Sequence, residues 1–343
     1  MSDTLTIFNR FPVDVGLVII ESCSPHDIVQ LRMTSKRLRN IIDRHSHVWT
    51  TARANLARGQ CSSVPAPPEV TARGNYNEAS YAFWLFGGGR CDSTICENAA
   101  KGLPVSFTLR LRACSKKCDD WIFDSGLIYC DFKHRYDATT WGLWLPRIPF
   151  EDNGSKFFLY RRSAIRDAED EVNQAIAVTN GAIFCMGKFP LRTIDALTLE
   201  HRKRAESRVM LEKNAKQLVA WKIGYLAEKA TVEDLNWACL KTFCATERIS
   251  FNQLRHCPMT MALLEAFNRD LERITLTVWQ QHRLVLRREY ETLFPDRVPT
   301  SSLKKHNVEC PECGRPVKAA GLRDHVQARH SSREDREDGA PEH

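Results

Sequence analysis

The stretch FPVDVGLVIIESCSPHDIVQL, residues 11–31, decides how the N-terminal part of the chain folds. Apolar residues recur at helical spacing after Pro12, and proline is tolerated in the first turn of a helix. Ser24 then precedes Pro25, with Asp27 three residues beyond Ser24, a pattern typical of an N-cap with a capping box. The stretch therefore predicts two short helices in succession.

The residues that follow predict a third short helix. After Thr34 a basic segment, residues 36–42, leads to Trp49. Ile41, Ile42 and Trp49 can close a small core against the first two helices. So small a helical module cannot bury all of its apolar side chains alone, and we expect it to require a partner surface.

This module, residues 8–58, resembles the F-box, whose pattern is Leu-Pro-x-Glu, an apolar run, a Pro-x-Asp-Leu helix start, Val-Ser-Lys/Arg and a closing Trp. The matching residues, in order, are Phe11-Pro12-Val13-Asp14, Ile19, Pro25-His26-Asp27-Ile28, Thr34-Ser35-Lys36 and Trp49. Departures include Gly16 inside the first helix and Leu38 where the family often has Trp.

In the F-box family the partner is the Skp adaptor, which is linked to a cullin scaffold. The resemblance implies that seven residues contact the adaptor: Phe11, Pro12, Val15, Ile19, Pro25, Ile28 and Leu31. The alternative is that these side chains form only the core of a small helical domain.

The chain has 13 cysteines, and two groups of them have spacings that suit a metal. Near the C-terminus, Cys310, Cys313, His325 and His330 form C-x2-C-x11-H-x4-H, which resembles a zinc finger of ββα form. Two thiolates on a tight turn and two imidazoles one helical turn apart can converge on one tetrahedral Zn²⁺. The alternative is an adventitious arrangement of these residues.

The base-reading positions of such a finger fall on Lys318, Gly321 and Asp324. Only the lysine suits contact with guanine, and a single finger covers about 3 base pairs. We therefore expect no sequence-specific DNA binding by this finger, and a structural or protein-binding role is favoured.

The second group is Cys91, Cys96, Cys114 and Cys118, spaced C-x4-C-x17-C-x3-C. It resembles the cysteine clusters that follow the F-box in many fungal F-box proteins, which implies a second zinc ion. Residues 87–89, three glycines, can supply the turn before the first pair. The alternative is buried free thiols, because free cysteine is among the most buried residue types. Seven further cysteines have no trusted ligand spacing: Cys23, Cys61, Cys130, Cys185, Cys239, Cys244 and Cys257.

The fold class is predicted as mainly α, α+β overall. The predicted regions are the three-helix module at 8–58, a linker at 59–75, a Cys- and aromatic-rich mixed α/β zinc-binding region at 76–161, a long-helix region at 162–300, the finger at 306–331 and a disordered tail at 332–343. Alternation over residues 106–111 predicts a strand, and Thr231 with Asp234 resembles the start of a helix.

The composition is that of a globular protein with a mixed surface, with 49 Lys and Arg against 42 Asp and Glu. No signal sequence and no apolar run of about 18 residues is present, so we expect an intracellular protein without a membrane span, in the cytoplasm, the nucleus or both. Reducing conditions there favour metal ligation over disulfides.

The chain contains no nucleotide-binding, hydrolase or metalloprotease motif. The function predicted is therefore a non-catalytic, substrate-recruiting F-box subunit of a Skp-cullin-F-box ubiquitin ligase, with an unidentified protein substrate. One alternative is a zinc-dependent nucleic-acid-binding protein, motivated by the finger, the charge of +7 and basic stretches such as residues 201–204. A second is an enzyme with thiol chemistry, for which the sequence singles out no nucleophile.

Overall fold

A computed structural model describes residues 12–70, 77–131, 142–152, 154–181 and 189–295, together with 307–310, 313, 315–318 and 325. Helices dominate this part of the chain and the sheets are small, which confirms the mainly α prediction. The helices are α1 (Val13–Glu21), α2 (Pro25–Thr34), α3 (Lys36–Arg44), α4 (His47–Asn55), α5 (Glu78–Phe86), α6 (Lys116–Trp121), α7 (Arg162–Thr179), α8 (Ile194–Glu247), α9 (Phe251–Leu254), α10 (Pro258–Arg269) and α11 (Leu276–Leu293).

The N-terminal module has four helices within its described residues, 12–58, one more than predicted. The hydroxyl oxygen of Ser24 accepts a hydrogen bond from the backbone N–H of Asp27 (3.2 Å), which confirms the predicted cap of α2. Ser35, in extended conformation, ends α2 and caps α3 by accepting from the N–H of Leu38 (3.1 Å). His45 then leaves helical geometry and divides the predicted third helix into α3 and α4.

The core of this module continues into later parts of the chain. Ile20, Ile28 and Trp49 pack in one cluster with Leu85 of α5 and Leu218 of α8, and all five are at most 2% exposed. The apolar side chains that a four-helix module cannot bury by itself are thus covered partly by this chain.

Seven short strands form three antiparallel sheets in the described part of the chain. The strands are β1 (Gly89–Arg90), β2 (Ala99–Ala100), β3 (Leu127–Asp131), β4 (Ile148–Asp152), β5 (Ser155–Arg161), β6 (Asn307–Glu309) and β7 (Pro316–Lys318). Strand β1 pairs with β2, β5 lies between β3 and β4, and β6 pairs with β7. Between α6 and β3 the chain makes a π-helical turn, Ile122–Gly126.

The strand predicted over residues 106–111 is wrong. The segment turns back on itself, so that Ser106 bridges Leu111 directly. The hydroxyl of Ser106 accepts from the N–H of Leu109 (3.1 Å), and Arg110 adopts a left-handed φ of 55°. The alternating pattern here places Phe107, Leu109 and Leu111 in cores around a turn.

Helix α8 is continuous over 54 residues, so the helix start predicted at Thr231 is wrong. The hydroxyl of Thr231 donates instead to the carbonyl of Ala227 (3.2 Å), one turn earlier in the same helix. Buried Tyr225 and Val232 carry the apolar face past this point, which favours continuation over a break.

The chain forms two compact units. The N-terminal unit comprises Met1–Leu235 with Phe267–Arg273, and the C-terminal unit comprises Asn236–Ala266 with Ile274–His343. In the C-terminal unit, Phe243 stacks on Trp279 with ring centroids 5.8 Å apart. The side-chain oxygen of buried Asn236 accepts from the backbone N–H of Ile274 (2.7 Å).

Candidate metal centres and an exposed apolar face

The upstream cysteine cluster, Cys91, Cys96, Cys114 and Cys118, converges on one point. All four Sγ atoms lie within 4.8 Å of one another. The Cys114 sulfur is 3.5 Å from that of Cys96 and 3.6 Å from that of Cys118. Four sulfurs around an ion at about 2.3 Å would be roughly 3.8 Å apart, and a disulfide would need about 2.05 Å. The geometry therefore suits a tetrahedral metal ion.

A tight glycine turn positions the first pair of cysteines. Gly88 has a φ of +71°, and a Cβ there would lie 3.0 Å from the carbonyl oxygen of Ala100. The N–H of Cys91 donates to Asn98 O (3.1 Å), and the N–H of Cys96 donates to Ser93 O (3.1 Å). These bonds bend residues 91–98 into a loop whose two thiols face the same side.

The start of α6 positions the second pair. Ser115 is extended and caps the helix, since its hydroxyl oxygen accepts from the N–H of Cys118 (3.3 Å). Cys114 precedes this cap and Cys118 lies in the first turn, so both sulfurs come from a single short segment. Neither position depends on the strict C-x2-C spacing of common zinc knuckles.

Asp92 joins the two segments. Its backbone N–H donates to Arg112 O (2.9 Å), and one carboxylate oxygen accepts from the N–H of Arg112 (2.8 Å). The other oxygen accepts from the guanidinium of Arg161 at the end of β5 (2.8 Å). Sequence reasoning missed Asp92 and Arg161, because no local spacing relates them.

Two cationic residues next to the cysteines in sequence, Arg112 and Lys116, are engaged by other groups. The buried guanidinium of Arg112 donates to Gly102 O (2.6 Å), Leu85 O (3.2 Å) and Trp84 O. Burial lowers its pKa. Lys116 pairs with Asp120 (2.7 Å).

Crowding of sulfur atoms disfavours a thiolate in this cluster unless a cation is present. The pKa of the Cys114 thiol is raised to about 12, first by its hydrogen bond with Cys96 and then by that with Cys118. A bound metal ion reverses this preference, because thiolates are its ligands. The four residues could therefore hold a metal ion.

The C-terminal set is described in part. Cys310, Cys313 and His325 bring their ligand atoms within 4.8 Å of one another, and Cys313 Sγ lies 3.4 Å from His325 Nε2. The N–H of Cys310 donates to Arg315 O (2.9 Å), which forms the turn between β6 and β7. His330 lies outside the described residues, as do Gly321, Asp324 and the predicted tail.

Several of the remaining cysteines are buried thiols. Cys61, Cys244 and Cys257 are at most 4% exposed. Burial raises the pKa of both Cys244 and Cys257 to about 11, so these thiols stay protonated and unreactive near neutral pH. Cys185 and the side chain of Cys130 lie outside the described residues.

Helix α1 presents an apolar face to solvent. Val13, Val15, Val18 and Ile19 are 44%, 43%, 64% and 38% exposed, and Met33 of α2 is 52% exposed. Isolated apolar side chains on a surface are ordinary, but Val15, Val18 and Ile19 lie within about 100° of one another around the helix and form a patch. Val13, Val18 and Met33 were absent from the predicted contact set, although Val15 and Val18 have the i, i+3 spacing that could have indicated them.

The structure separates the predicted contact residues by accessibility. Pro12, Val15 and Ile19 are exposed, and Leu31 is half-buried. Pro25 and Ile28 are buried, because they face the core from the first turn of α2. Phe11 lies outside the described residues.

Comparison with known proteins identifies this N-terminal module. Residues 8–49 match the family model of the F-box domain. The module is an F-box domain. No curated protein and no solved structure matches the chain. The F-box covers α1, α2 and α3 and ends at the buried Trp49 in α4.

None of the helices in the described part of the chain combines the length and the apolar character that a membrane-spanning segment requires.

Proposed function

We propose that this protein is a non-catalytic, substrate-recruiting F-box subunit of a Skp-cullin-F-box ubiquitin ligase. The F-box match at residues 8–49 carries the proposal. The exposed apolar face of α1 supports it, because contiguous apolar side chains on a protein surface are typical of a protein-binding site. The part of the chain beyond the F-box would hold the substrate.

The proposed mechanism is proximity. A subunit that binds the adaptor on one surface and the substrate on another raises the local concentration of substrate at the ubiquitin-charged enzyme. No side chain of this protein needs to take part in bond making. Pro12, Val15 and Ile19, with Val13, Val18 and Met33, would form the adaptor contact.

We further propose that the upstream cysteine cluster binds Zn²⁺ in a structural role, and that the C-terminal set binds a second Zn²⁺ with His330 as its fourth ligand. Four sulfur ligands, or two sulfurs and two imidazoles, are donor sets that Zn²⁺ prefers. The zinc ions would hold the turns around Cys91 and Cys310.

The adaptor proposal is tested with the full chain and the purified Skp adaptor. Val15→Glu with Ile19→Glu places two charges on the exposed face of α1, and we expect binding to weaken by about tenfold or more. Both positions are exposed, so the variant should fold. Binding is measured by calorimetry, and folding by circular dichroism.

The matched control is Val209→Glu on α8, an exposed valine (62%) outside the F-box. It should bind the adaptor like the unaltered protein. Equal binding by all three proteins would contradict the proposed contact, and absence of binding by the unaltered protein would overturn the proposed function.

The structure lends the nucleic-acid alternative no specific support. Within the basic stretch 201–204, Arg204 pairs with Glu171 (2.8 Å) and with Glu200 (2.7 Å). His201 stacks on Trp144 with ring centroids 4.5 Å apart. Intramolecular partners therefore occupy two of the four basic side chains that motivated it.

A further inference from the structure

The middle of helix α8, within the N-terminal unit, carries an apolar stripe that faces solvent. Val219, Ile223 and Leu226 form this stripe and are 48%, 67% and 48% exposed. Their i, i+4, i+7 spacing places them within about 60° of one another around the helix. The opposite side of the same segment is buried, because Trp221 and Tyr225 belong to the core of the N-terminal unit. The segment therefore has one apolar side in the core and a second apolar side in water.

Small side chains border the apolar stripe. Ala220, Ala227 and Ala230 lie on the same side of the helix and are exposed. The distance between two packed helices is set by the side chains at their contact, so alanines allow a close approach. A second helix can therefore lie against this side of α8.

The charged residues of the same segment lie away from the apolar stripe. The ammonium of Lys222 donates to Pro104 O (2.8 Å), and the carboxylate of Glu228 accepts from the N–H of Gln60 (3.1 Å). Lys229 is half-buried. An exposed helix face ordinarily carries charged side chains, so an exposed face without them over residues 219–230 indicates a surface that another protein covers.

The two ends of the apolar stripe carry opposite charges. Lys216 precedes it by one turn, and Asp234 lies one turn beyond Ala230 on the same side of the helix. Both side chains are exposed, and neither forms an ion pair within the described part of the chain. The nearby Glu212 is paired with Arg208 (3.2 Å). The exposed face is thus positive at its N-terminal end and negative at its C-terminal end.

A face of this kind is complementary to itself when a second copy lies antiparallel to it. In a two-fold pair centred between Ile223 and Leu226, each Ile223 packs against Leu226 of the second copy, and each Val219 packs against its Ala230. The same alignment brings Lys216 to within about 1.5 Å, along the helix axis, of the level of Asp234 of the second copy. A parallel pair would set lysine against lysine and aspartate against aspartate.

We propose that two copies of this chain associate through residues 216–234 of α8, with the two helices antiparallel. The self-complementary charges select a second copy as the occupant of this face. The apolar part is about 16 Å long, which is short for a stable interface, so we expect half-maximal association at about 10–100 µM protein. The proposal does not depend on the proposed F-box function. If both hold, one dimer presents two F-box domains.

The first test measures the mass of the full chain by sedimentation velocity, in reducing agent, from about 5 to about 500 µM. The unaltered protein should shift from monomer to dimer over this range. Ile223→Glu places two charges at the centre of the interface and should weaken association by more than about tenfold. The matched control is Ile176→Glu on α7, also an exposed isoleucine (45%), which should associate like the unaltered protein. Circular dichroism checks that the variants fold.

The second test exchanges the charges at the two ends. Lys216→Glu and Asp234→Lys should each weaken association by about tenfold at low salt, because each replaces two attractive pairs by two repulsive ones. An equimolar mixture of the two variants should restore association, since in the mixed dimer both pairs are again attractive. Lys203→Glu, an exposed lysine on another side of α8, is the control and should change nothing.

Three results would overturn the proposal. Monomeric protein at every concentration would leave this face to a different partner. Equal association by Ile223→Glu would place any dimer contact elsewhere. A mixture of the charge variants that associates no better than either alone would exclude the antiparallel alignment. Skp binding is measured separately, so failure here leaves the adaptor proposal standing.

Discussion

The two candidate metal-ligand sets of this protein reach their geometry by different routes. The C-terminal set has the more regular spacing, with Cys310 and Cys313 on the short turn between β6 and β7. The upstream set has irregular spacing, yet the structure brings all four of its sulfurs together. Regular spacing of ligand residues in the sequence indicates that a short segment can fold around an ion by itself. Irregular spacing is sufficient where tertiary structure aligns two separate segments.

The two sets also differ in how much surrounding structure contacts them. Asp92 links the upstream segments, and an adjoining apolar cluster contains Leu111, Ile122 and Leu159. The described part of the C-terminal set has a hairpin of three residue pairs, with its Cys310 buried. We therefore expect metal loss upstream to destabilise the N-terminal unit, and metal loss downstream to remain local.

The largest expected effect follows from Cys118→Ser. Removing one of four thiolates should release one zinc per chain and lower the free energy of unfolding by on the order of 4 kcal/mol or more. Metal content by mass spectrometry and urea unfolding provide the measurements. Cys257→Ser, a buried cysteine outside both sets, should retain all of the metal. Unchanged metal content in Cys118→Ser would exclude the upstream site.

An intermediate effect is expected for Asp92→Asn. The substitution removes the charge that pairs with Arg161 while keeping the size of the side chain, and should cost about 1–3 kcal/mol of stability. Zinc affinity, measured by competition with a chelator, should fall by about tenfold. Asp120→Asn, whose partner Lys116 is solvent-exposed, is the control and should change neither quantity. Equal behaviour of the two variants would show that Asp92 does not support the cluster.

The smallest effect on global stability is expected for Cys313→Ser. It should release the second zinc and increase proteolysis of residues 307–330, while the main unfolding transition shifts by less than about 1 kcal/mol. Limited proteolysis and urea unfolding distinguish these changes. A loss as large as that of Cys118→Ser would remove the proposed difference between the two sets.

Local chemistry made part of this structure predictable. Ser24 caps α2 because a short polar side chain at that position can bond only to nearby N–H groups, and the sequence shows both partners. The strand predicted at residues 106–111 was wrong because alternating apolar and polar residues are compatible with both a strand and a turn. Here Ser106 and the left-handed conformation of Arg110 close a turn. The helix start predicted at Thr231 was wrong because a capping pattern does not interrupt a helix whose apolar face continues on both sides of it.

The candidate metal sites could likewise be predicted only in part from the sequence. The cysteines themselves are visible in the sequence, since ligand type and approximate spacing suffice to nominate them. Asp92 binds the backbone of Arg112 across 20 positions and Arg161 across 69, and no pattern relates residues at such distances.

The continuous core of the N-terminal unit determines whether the F-box can fold apart from the rest of the chain. Ile28, Trp49 and Leu56 of the F-box region share one buried cluster with Leu85 and Leu218. A fragment cut after residue 58 would leave those side chains facing water on the side that α5 and α8 cover. This F-box should therefore not fold normally when it is transferred alone to another protein. A chimeric protein should include α5 and the middle of α8 together with the F-box.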